Sequence, residues 1–188
     1  MINDHDTHAG GAAGSGKAAV PDRAFKELRQ PTPQEFGIRI AADGCWYHEG
    51  GLIGRPSLVK LFSTVLRREA DGSYWLVTPV ERGRIEVEDA PFIITALAVS
   101  GAGEAQQLTF RTNVDDEVHL GPGNPLSMRM PPQGGDDLRP YIMVRDGLEA
   151  LVARPVFYEL AEMSEAGPDG LLGFWSGRAF FALEGEDR

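Results

Sequence analysis

Hydrophobic and polar residues alternate with a period of two across residues 36–40 (Phe-Gly-Ile-Arg-Ile). Such alternation is typical of a half-buried β-strand. The Asp-Gly pair at residues 43–44 favours a turn into residues 45–48. The pattern therefore predicts a β-hairpin over residues 36–48.

A helical period replaces the alternation further along the chain. Pro56 suits the first turn of a helix, where the N–H that proline lacks would have no partner. The apolar residues that follow are spaced by three and four positions, so one face of the predicted helix is buried. That face comprises Leu58, Leu61, Phe62 and Val65, and the opposite side carries Lys60, Thr64, Arg67 and Arg68. The helix is predicted to end before residues 71–72 (Asp-Gly).

Most of the remaining chain consists of short apolar segments between Gly, Pro, Asn and Asp residues, a spacing that favours an antiparallel meander which curls or closes. Strands are predicted at residues 73–78, 84–88, 92–100, 106–112, 117–120, 126–130, 141–145 and 172–183, with a turn at 82–83 and a surface loop at 131–138. A second helix is predicted over residues 155–166. Its buried face comprises Val156, Phe157, Leu160 and Met163, and its outer face carries Glu159, Glu162 and Glu165.

The two predicted helices begin with the same dipeptide, Arg55-Pro56 in the first and Arg154-Pro155 in the second. A glycine turn precedes each dipeptide, and an Asp-Gly pair and a tryptophan follow it. We interpret this as an internal duplication, in which a unit of strand, turn, Arg-Pro helix and strand is used twice. The outer side of the first helix is basic and that of the second is acidic. Either both are simply solvated faces, or two duplicated units diverged in charge.

These elements predict an α+β protein of two tandem β-rich domains with one helix each. The N-terminal domain is expected at residues 31–90. The C-terminal domain, at 91–188, is expected to be a bent antiparallel sheet or barrel capped by its helix. Residues 1–30 are rich in Gly and Ala and predict a disordered tail. Residues 11–18 have the spacing of a phosphate-binding loop, but they lack its Ser or Thr and its strand–helix context, so we reject that function.

Composition limits the classes of partner. The chain has 188 residues and a formal net charge of -10, which opposes binding to a nucleic-acid polymer. No segment approaches the ~20 apolar residues that a membrane-spanning helix needs. The absence of a secretory signal and the single cysteine, Cys45, are consistent with a cytoplasmic protein.

The sequence contains no recognisable catalytic or metal-binding motif. Its four histidines, His5, His8, His48 and His119, lack metal-ligand spacing, and no nucleophile elbow is present. Cys45 and His48 are three residues apart on a predicted strand, so they point to opposite faces. We therefore predict Cys45 to be a small core residue and expect no catalytic residues, metal or cofactor. An unrecognised hydrolase stays the least favoured alternative.

Basic and aromatic residues cluster around the two related corners, and they favour the binding of an anionic ligand. Arginine offers a planar fork for phosphate or carboxylate, and aromatic rings can line the wall of such a site. The candidate ligand-binding residues are Arg55, Lys60, Arg145, Arg154, Trp46, His48 and Trp75. In the alternative, structural interpretation, the arginines bond backbone carbonyls at the corners and the tryptophans are core residues.

Three segments of the first half resemble a known bacterial family. They are Asp43-Gly44-x-Trp46-Tyr47-His48-Glu49-Gly50, residues 55–68 beginning Arg-Pro-x-Leu-Val-Lys-Leu-Phe, and Asp71-Gly72-x-Tyr74-Trp75 through Glu81. Residues 87–92, 110–113 and the stretch from Arg139-Pro140-Tyr141 to Arg154-Pro155 extend the match. Together they are similar to the domain-of-unknown-function 1285 family over residues 31–183.

This resemblance implies a duplicated core whose C-terminal half is superficially like a pleckstrin-homology barrel. It also implies a cleft between the halves for a small, nucleotide-based ligand, and a signalling role linked to oxidative stress. It supplies no catalytic residues. Our leading hypothesis is a non-enzymatic sensor or adaptor that binds a small anionic ligand between its halves. The alternative is a scaffold for a protein partner, without a small ligand.

Overall fold

The computed structural model of the protein describes residues 31–135, 137–168 and 170–183. The described residues belong to one compact unit. The predicted tail over residues 1–30 and the rejected phosphate loop at 11–18 lie outside the described residues.

The first sheet has six strands and contains the predicted N-terminal hairpin. In chain order its strands are β1 (Pro33–Ile40), β2 (Trp46–His48), β3 (Gly51–Leu52), β4 (Leu66–Arg68), β5 (Tyr74–Val77) and β6 (Arg82–Val87). Across the sheet the order is β3-β2-β1-β6-β5-β4. The hairpin is confirmed, because Ile40 of β1 lies opposite Trp46 of β2. The central strands β1 and β6 are parallel.

Helix α1 (Pro56–Val65) begins where the sequence predicts but ends earlier, because the chain turns into β4 at Leu66. Its buried face is also rotated from the predicted one. Phe62 and Ser63 face inward, whereas Leu61 is 60% exposed. A serine can occupy this core face because its hydroxyl donates to the Lys60 carbonyl at 2.7 Å. The prediction that Leu61 is buried is therefore wrong.

The turn before β6 comes earlier than predicted. Residues 78–81 form it, with the Thr78 N–H donating to the Glu81 carbonyl at 2.9 Å. Gly83 lies within β6, not in the turn. A Cβ atom at Gly83 would come within 2.1 Å of the Phe36 ring, so the missing side chain serves packing between two strands.

The second sheet also has six strands, including one that the sequence analysis missed. They are β7 (Phe92–Ser100), β8 (Gln107–Thr112), β9 (Glu117–His119), β10 (Leu126–Arg129), β11 (Arg139–Arg145) and β12 (Leu148–Val152), and a short 3-10 turn (Gly103–Ala105) separates β7 from β8. The order is β10-β11-β12-β7-β8-β9, with β7 and β12 parallel. The missed strand is β12, which pairs with β11 across a turn at Asp146 and Gly147. Both turn residues have positive φ, as a tight hairpin requires.

Helix α2 (Arg154–Glu162) follows β12, and its Val156 and Leu160 are buried as predicted. A three-stranded sheet is the last in the described part of the chain: β13 (Glu165–Ala166), β14 (Leu172–Ser176) and β15 (Ala179–Ala182). The prediction of one strand over residues 172–183 is wrong, because Gly177 and Arg178 adopt positive φ and reverse the chain.

The two six-stranded sheets share one topology. If the strands of each sheet are numbered first to sixth along the chain, the order in both is third-second-first-sixth-fifth-fourth. In both, the first and sixth strands are the parallel pair. The helices occupy different places, however: α1 connects the third and fourth strands of its sheet, whereas α2 follows the sixth strand of the other.

The main hydrophobic core contains residues from both sheets and from α2. Cys45 is only half-buried, so the prediction of a core cysteine is wrong. It lies in the turn before β2, where its N–H donates to the Asp43 carboxylate at 2.9 Å, and partial burial raises the pKa of its thiol. No helix in the described part of the chain is long and apolar enough to cross a membrane.

Candidate functional site

A cavity of about 580 Å³ lies at the N-terminal end of α2. We call it the α2 cavity. Its wall combines described residues of the 131–138 loop, the start of β11, the end of β12 and the first residues of α2. The lining residues are Pro131, Gly135, Asp137, Leu138, Arg139, Pro140, Leu151, Val152, Ala153, Arg154, Phe157 and Tyr158. Its volume is in the range of small-molecule sites, which is roughly 300–1,000 Å³.

Two arginines give the α2 cavity its positive charge. Arg139 begins β11 and is 45% exposed, and Arg154 is the first residue of α2 and is exposed. Among the described residues, Asp137 is the one acidic residue of the lining. Two guanidinium groups can bind phosphate or carboxylate through parallel hydrogen bonds, which are stronger than those between neutral groups.

The rest of the lining is largely apolar and includes two aromatic side chains. Phe157 is half-buried, and its neighbour Tyr158 is 61% exposed. An aromatic wall beside cationic groups suits a ligand that carries both a flat ring and an anionic group.

A buried carboxylate, that of Asp89, holds Arg139 in place. The Asp89 side chain is 3% exposed and accepts hydrogen bonds from Arg139 Nη1 at 3.0 Å and from the Tyr141 hydroxyl at 2.7 Å. Burial, and then the bond to Asp89, raise the pKa of Tyr141 above its ordinary value. A buried carboxylate is stable only when it is paired and hydrogen-bonded, and these two partners meet that requirement.

A second cavity of about 630 Å³, the junction cavity, lies on the other side of Asp89. Residues of the first sheet contribute most of its wall: Glu35, Arg68, Gly72, Ser73, Tyr74, Arg84, Ile85, Glu86 and Val87. Asp89 and Pro132 complete it. The 131–138 loop therefore contacts both cavities, Pro131 facing one and Pro132 the other, and Gln133 of this loop donates to the Glu88 carbonyl at 3.0 Å.

A chain of polar contacts connects Tyr141 with the first sheet. The guanidinium of Arg129 lies 3.7 Å from the centre of the Tyr141 ring and donates to Glu149 at 2.8 Å. Arg68 of β4 pairs with the same carboxylate at 3.6 Å and donates to the Gly147 carbonyl at 3.1 Å. The α2 cavity is therefore linked to the junction between the two sheets by charged residues.

Among the seven residues predicted to bind a ligand, Arg154 alone lines the α2 cavity, and none lines the junction cavity. Trp46 is 1% exposed and stacks on Phe62, with 6.2 Å between ring centres. Trp75 donates to Ser73 at 2.7 Å, and the guanidinium of Arg82 covers its ring at 4.3 Å. Both tryptophans therefore make the structural contacts of the alternative interpretation.

Of the other four residues, Arg55, Lys60 and Arg145 lie in α1 or contact its ends and backbone, whereas His48 is the last residue of β2. Arg145 donates to Asp116 at 2.5 Å and to the Ser63 carbonyl at 2.9 Å, and Lys60 pairs with Asp115. Both side chains thereby join α1 to the turn between β8 and β9. Arg55 and His48 are exposed, and neither lines either cavity.

Three residues important to this geometry, Asp89, Arg139 and Tyr141, were not singled out as site residues. Their partners lie about 50 residues apart in the chain, so no local pattern links them. Two sequence features could have drawn attention to them: Asp89 lies two positions before Pro91, and residues 139–141 read Arg-Pro-Tyr. No group of three or more potential metal ligands occurs among the described residues.

Comparisons with known proteins identify the family. The model of the DUF1285 N-terminal domain, a domain of unknown function, matches residues 28–90, and that of the C-terminal domain of the same family matches residues 91–183. No match was found among curated proteins.

Two crystal structures of DUF1285 family proteins are similar to the chain. The protein from Silicibacter pomeroyi DSS-3 is 44% identical, with a TM-score of 0.76 over 83% of this chain and 84% of that one. The protein from Shewanella baltica OS155 is 26% identical, with a TM-score of 0.52 over 67% of this chain and 91% of that one. The chain therefore belongs to the DUF1285 family.

Proposed function

We propose that the protein is a non-enzymatic sensor or adaptor that binds a small organic anion in the α2 cavity. The anionic group contacts Arg139 and Arg154, and a flat or apolar part of the ligand lies along Phe157 and Tyr158. A nucleotide-like molecule has this combination of groups. The role would be in cytoplasmic signal transduction, including the stress response that the family resemblance implies.

One observation carries the proposal: two arginines and two aromatic residues line a single cavity of ligand size. The cavity also adjoins the junction of the two sheets, since Asp89 contacts Arg139 on one side and lines the junction cavity on the other. A ligand on Arg139 would act on the segment that joins the halves, as a sensor requires.

We also infer that the halves arose by duplication, which the common strand order of the two sheets supports. The equivalent units would then be the six-stranded sheets, and the Arg-Pro helices would be later additions at different places. The pleckstrin-homology likeness of the second half belongs to the same proposal, and its support is the helix that follows the last strand of that sheet.

Thermal unfolding with AMP and NAD⁺ as probes tests ligand binding, with adenosine as the uncharged control. A ligand at 100 times its Kd stabilises the folded state by about 2.7 kcal/mol, which raises the midpoint by several degrees. We expect AMP or NAD⁺ to give this shift and adenosine to give less. Arg154→Gln should abolish it, whereas Arg55→Gln, at the other Arg-Pro corner, should retain it.

The proposal fails if neither nucleotide shifts the midpoint of the wild-type protein. It also fails if the shift survives in Arg154→Gln, because the ligand would then bind elsewhere. Equal loss in Arg55→Gln and Arg154→Gln would restore the site predicted from the sequence.

A protein-interaction scaffold is the second candidate, favoured by the exposure of large apolar side chains at the cavity mouth. Leu138 is 47% exposed and Tyr158 is 61% exposed. Exposed apolar residues grouped beside a concave surface are typical of protein-binding sites. If this is the function, Tyr158→Ser should abolish the capture of a specific partner. The nucleotides should then have no effect on the midpoint of thermal unfolding.

A further inference from the structure

The pairing between Asp89 and Arg139 is asymmetric. Asp89 is almost fully buried, whereas Arg139 is nearly half exposed and faces the α2 cavity. One nitrogen of the guanidinium, Nη1, donates to Asp89. The other donor groups, on Nη2 and Nε, contact no protein acceptor among the described residues. A guanidinium has five N–H donors in a rigid plane, so fixing one edge fixes the direction of the others.

Asp89 is itself fixed. Its second oxygen accepts the Tyr141 hydroxyl at 2.7 Å, and Tyr141 is completely buried in β11, with the Arg129 guanidinium over its ring. Asp89 therefore cannot rotate away from Arg139 without leaving a buried hydroxyl or a buried charge unpaired, which is costly.

We propose that Asp89 is a positioning residue for anion binding: it orients the Arg139 guanidinium so that the free donors face the α2 cavity. This inference rests on the proposed function and assigns part of the site to the segment between the two sheets. Ligand affinity then depends on the junction, because a shift of Asp89 turns the guanidinium.

Neutralising Asp89 should change the affinity for an anion in opposite directions in two cases: if Asp89 positions Arg139, and if Asp89 acts only through its charge. Removing a negative charge close to an anion site strengthens anion binding if charge alone matters. If Asp89 orients Arg139, its loss weakens binding, because the guanidinium must be ordered at the time of binding. The sign of the change in affinity therefore separates the two roles.

We test the inference with Asp89→Asn in the full chain, measuring AMP affinity by calorimetry. The asparagine keeps the size of the side chain but offers one acceptor oxygen for two donors. We expect affinity about tenfold weaker, the order of one hydrogen bond to a charged group. The matched control is Asp116→Asn, which removes the same charge from a pair with Arg145 that is about one-third exposed and lies outside the cavity; it should change affinity less than twofold.

A second readout needs no ligand. In the free protein, ¹⁵N relaxation of the Arg139 Nε–H should report an ordered side chain in wild type and a mobile one in Asp89→Asn. Unchanged order, or tighter binding of AMP, overturns the inference. If AMP and NAD⁺ fail to bind the wild-type protein but the order of Arg139 is lost in the variant, the proposed function fails and the positioning of Arg139 stands.

Arg139→Lys is the second test variant, to be used if Asp89→Asn does not fold. Lysine keeps the charge but lacks the fork, so it cannot hold Asp89 and direct fixed donors into the cavity together. We expect the same loss of affinity. Wild-type affinity in Arg139→Lys would show that only charge is needed at this position, and the inference would be wrong.

Discussion

The two Arg-Pro corners look alike in sequence but differ in their surroundings. Arg55 precedes α1 in an extended conformation, after the short and exposed edge strand β3. Arg154 is already helical and follows β12, one of the two central strands of its sheet. Ala153 anchors that corner by donating its N–H to the Ile94 carbonyl at 3.1 Å.

This difference explains the cavity at the α2 corner. A helix that starts beside central strands has neighbours on both sides, so the 131–138 loop can close a cavity over it. A helix that starts from an edge strand lacks such neighbours. The proline serves the same local purpose twice, but position in the sheet decides whether the arginine beside it lines a cavity.

The largest expected difference between the helices concerns their inner faces. Leu160 of α2 is fully buried, so Leu160→Ala should lower the free energy of unfolding by about 2–5 kcal/mol. Leu61 of α1 is 60% exposed, and Leu61→Ala should lower it by less than about 0.5 kcal/mol. Urea unfolding measures both. Comparable losses in the two variants would mean that α1 buries the face predicted from its sequence.

A second expected effect concerns the buried polar contacts of the α2 corner. Tyr141→Phe removes one partner of Asp89 and should lower the free energy of unfolding by about 1–3 kcal/mol at neutral pH. The pKa of Tyr141 is raised, so its neutral form stabilises the folded state. This contribution is complete below the ordinary tyrosine pKa of about 10 and is lost as pH rises above it.

Stability measured between pH 9 and 11 checks this effect. Wild type should lose stability over the upper part of the range, and Tyr141→Phe should lose less. Parallel curves for the two proteins would contradict a buried hydroxyl bonded to Asp89.

A third prediction concerns the contacts that fix α1 to the second sheet. Arg145 joins this helix to the turn after β8. Its two hydrogen bonds go to Asp116 and to the Ser63 carbonyl. Arg145→Gln should lower the free energy of unfolding by about 1–2 kcal/mol, because the bonds involve a charged donor that is two-thirds buried. AMP affinity should stay unchanged. Loss of affinity with full stability would instead place Arg145 in a ligand site, as the sequence analysis predicted.

Local patterns predicted the fold better than they predicted the site. The hairpin of β1 and β2, the start of α1, strand β7 and the inner face of α2 follow from periodicity and turn residues, which are local properties. Strand β12 was missed because five residues between a glycine turn and a helix carry little periodic signal. The partners of Asp89 are set by tertiary packing, and one sequence contains no information on contacts of that range.

The smallest effect belongs to Lys60, which pairs with Asp115 on the surface near the α1 corner. The hydrogen bond and charge of Lys60 lower the pKa of Asp115. A lowered pKa stabilises the folded state above the ordinary aspartate pKa, and this contribution is lost as pH falls through the lowered value. In Lys60→Gln the pKa of Asp115 should rise towards the ordinary value of an aspartate, as carboxylate NMR shifts can measure. The free energy of unfolding should fall slightly less steeply as the pH is lowered. At neutral pH it should change little, because exposed ion pairs contribute little to stability. Asp71, whose pKa is lowered by the hydroxyl of Ser73 and not by Lys60, is a reference carboxylate whose pKa should be the same in both proteins. An unchanged Asp115 pKa would mean that α1 is not joined to the β8–β9 turn through Lys60, leaving Arg145 as the contact that holds this corner.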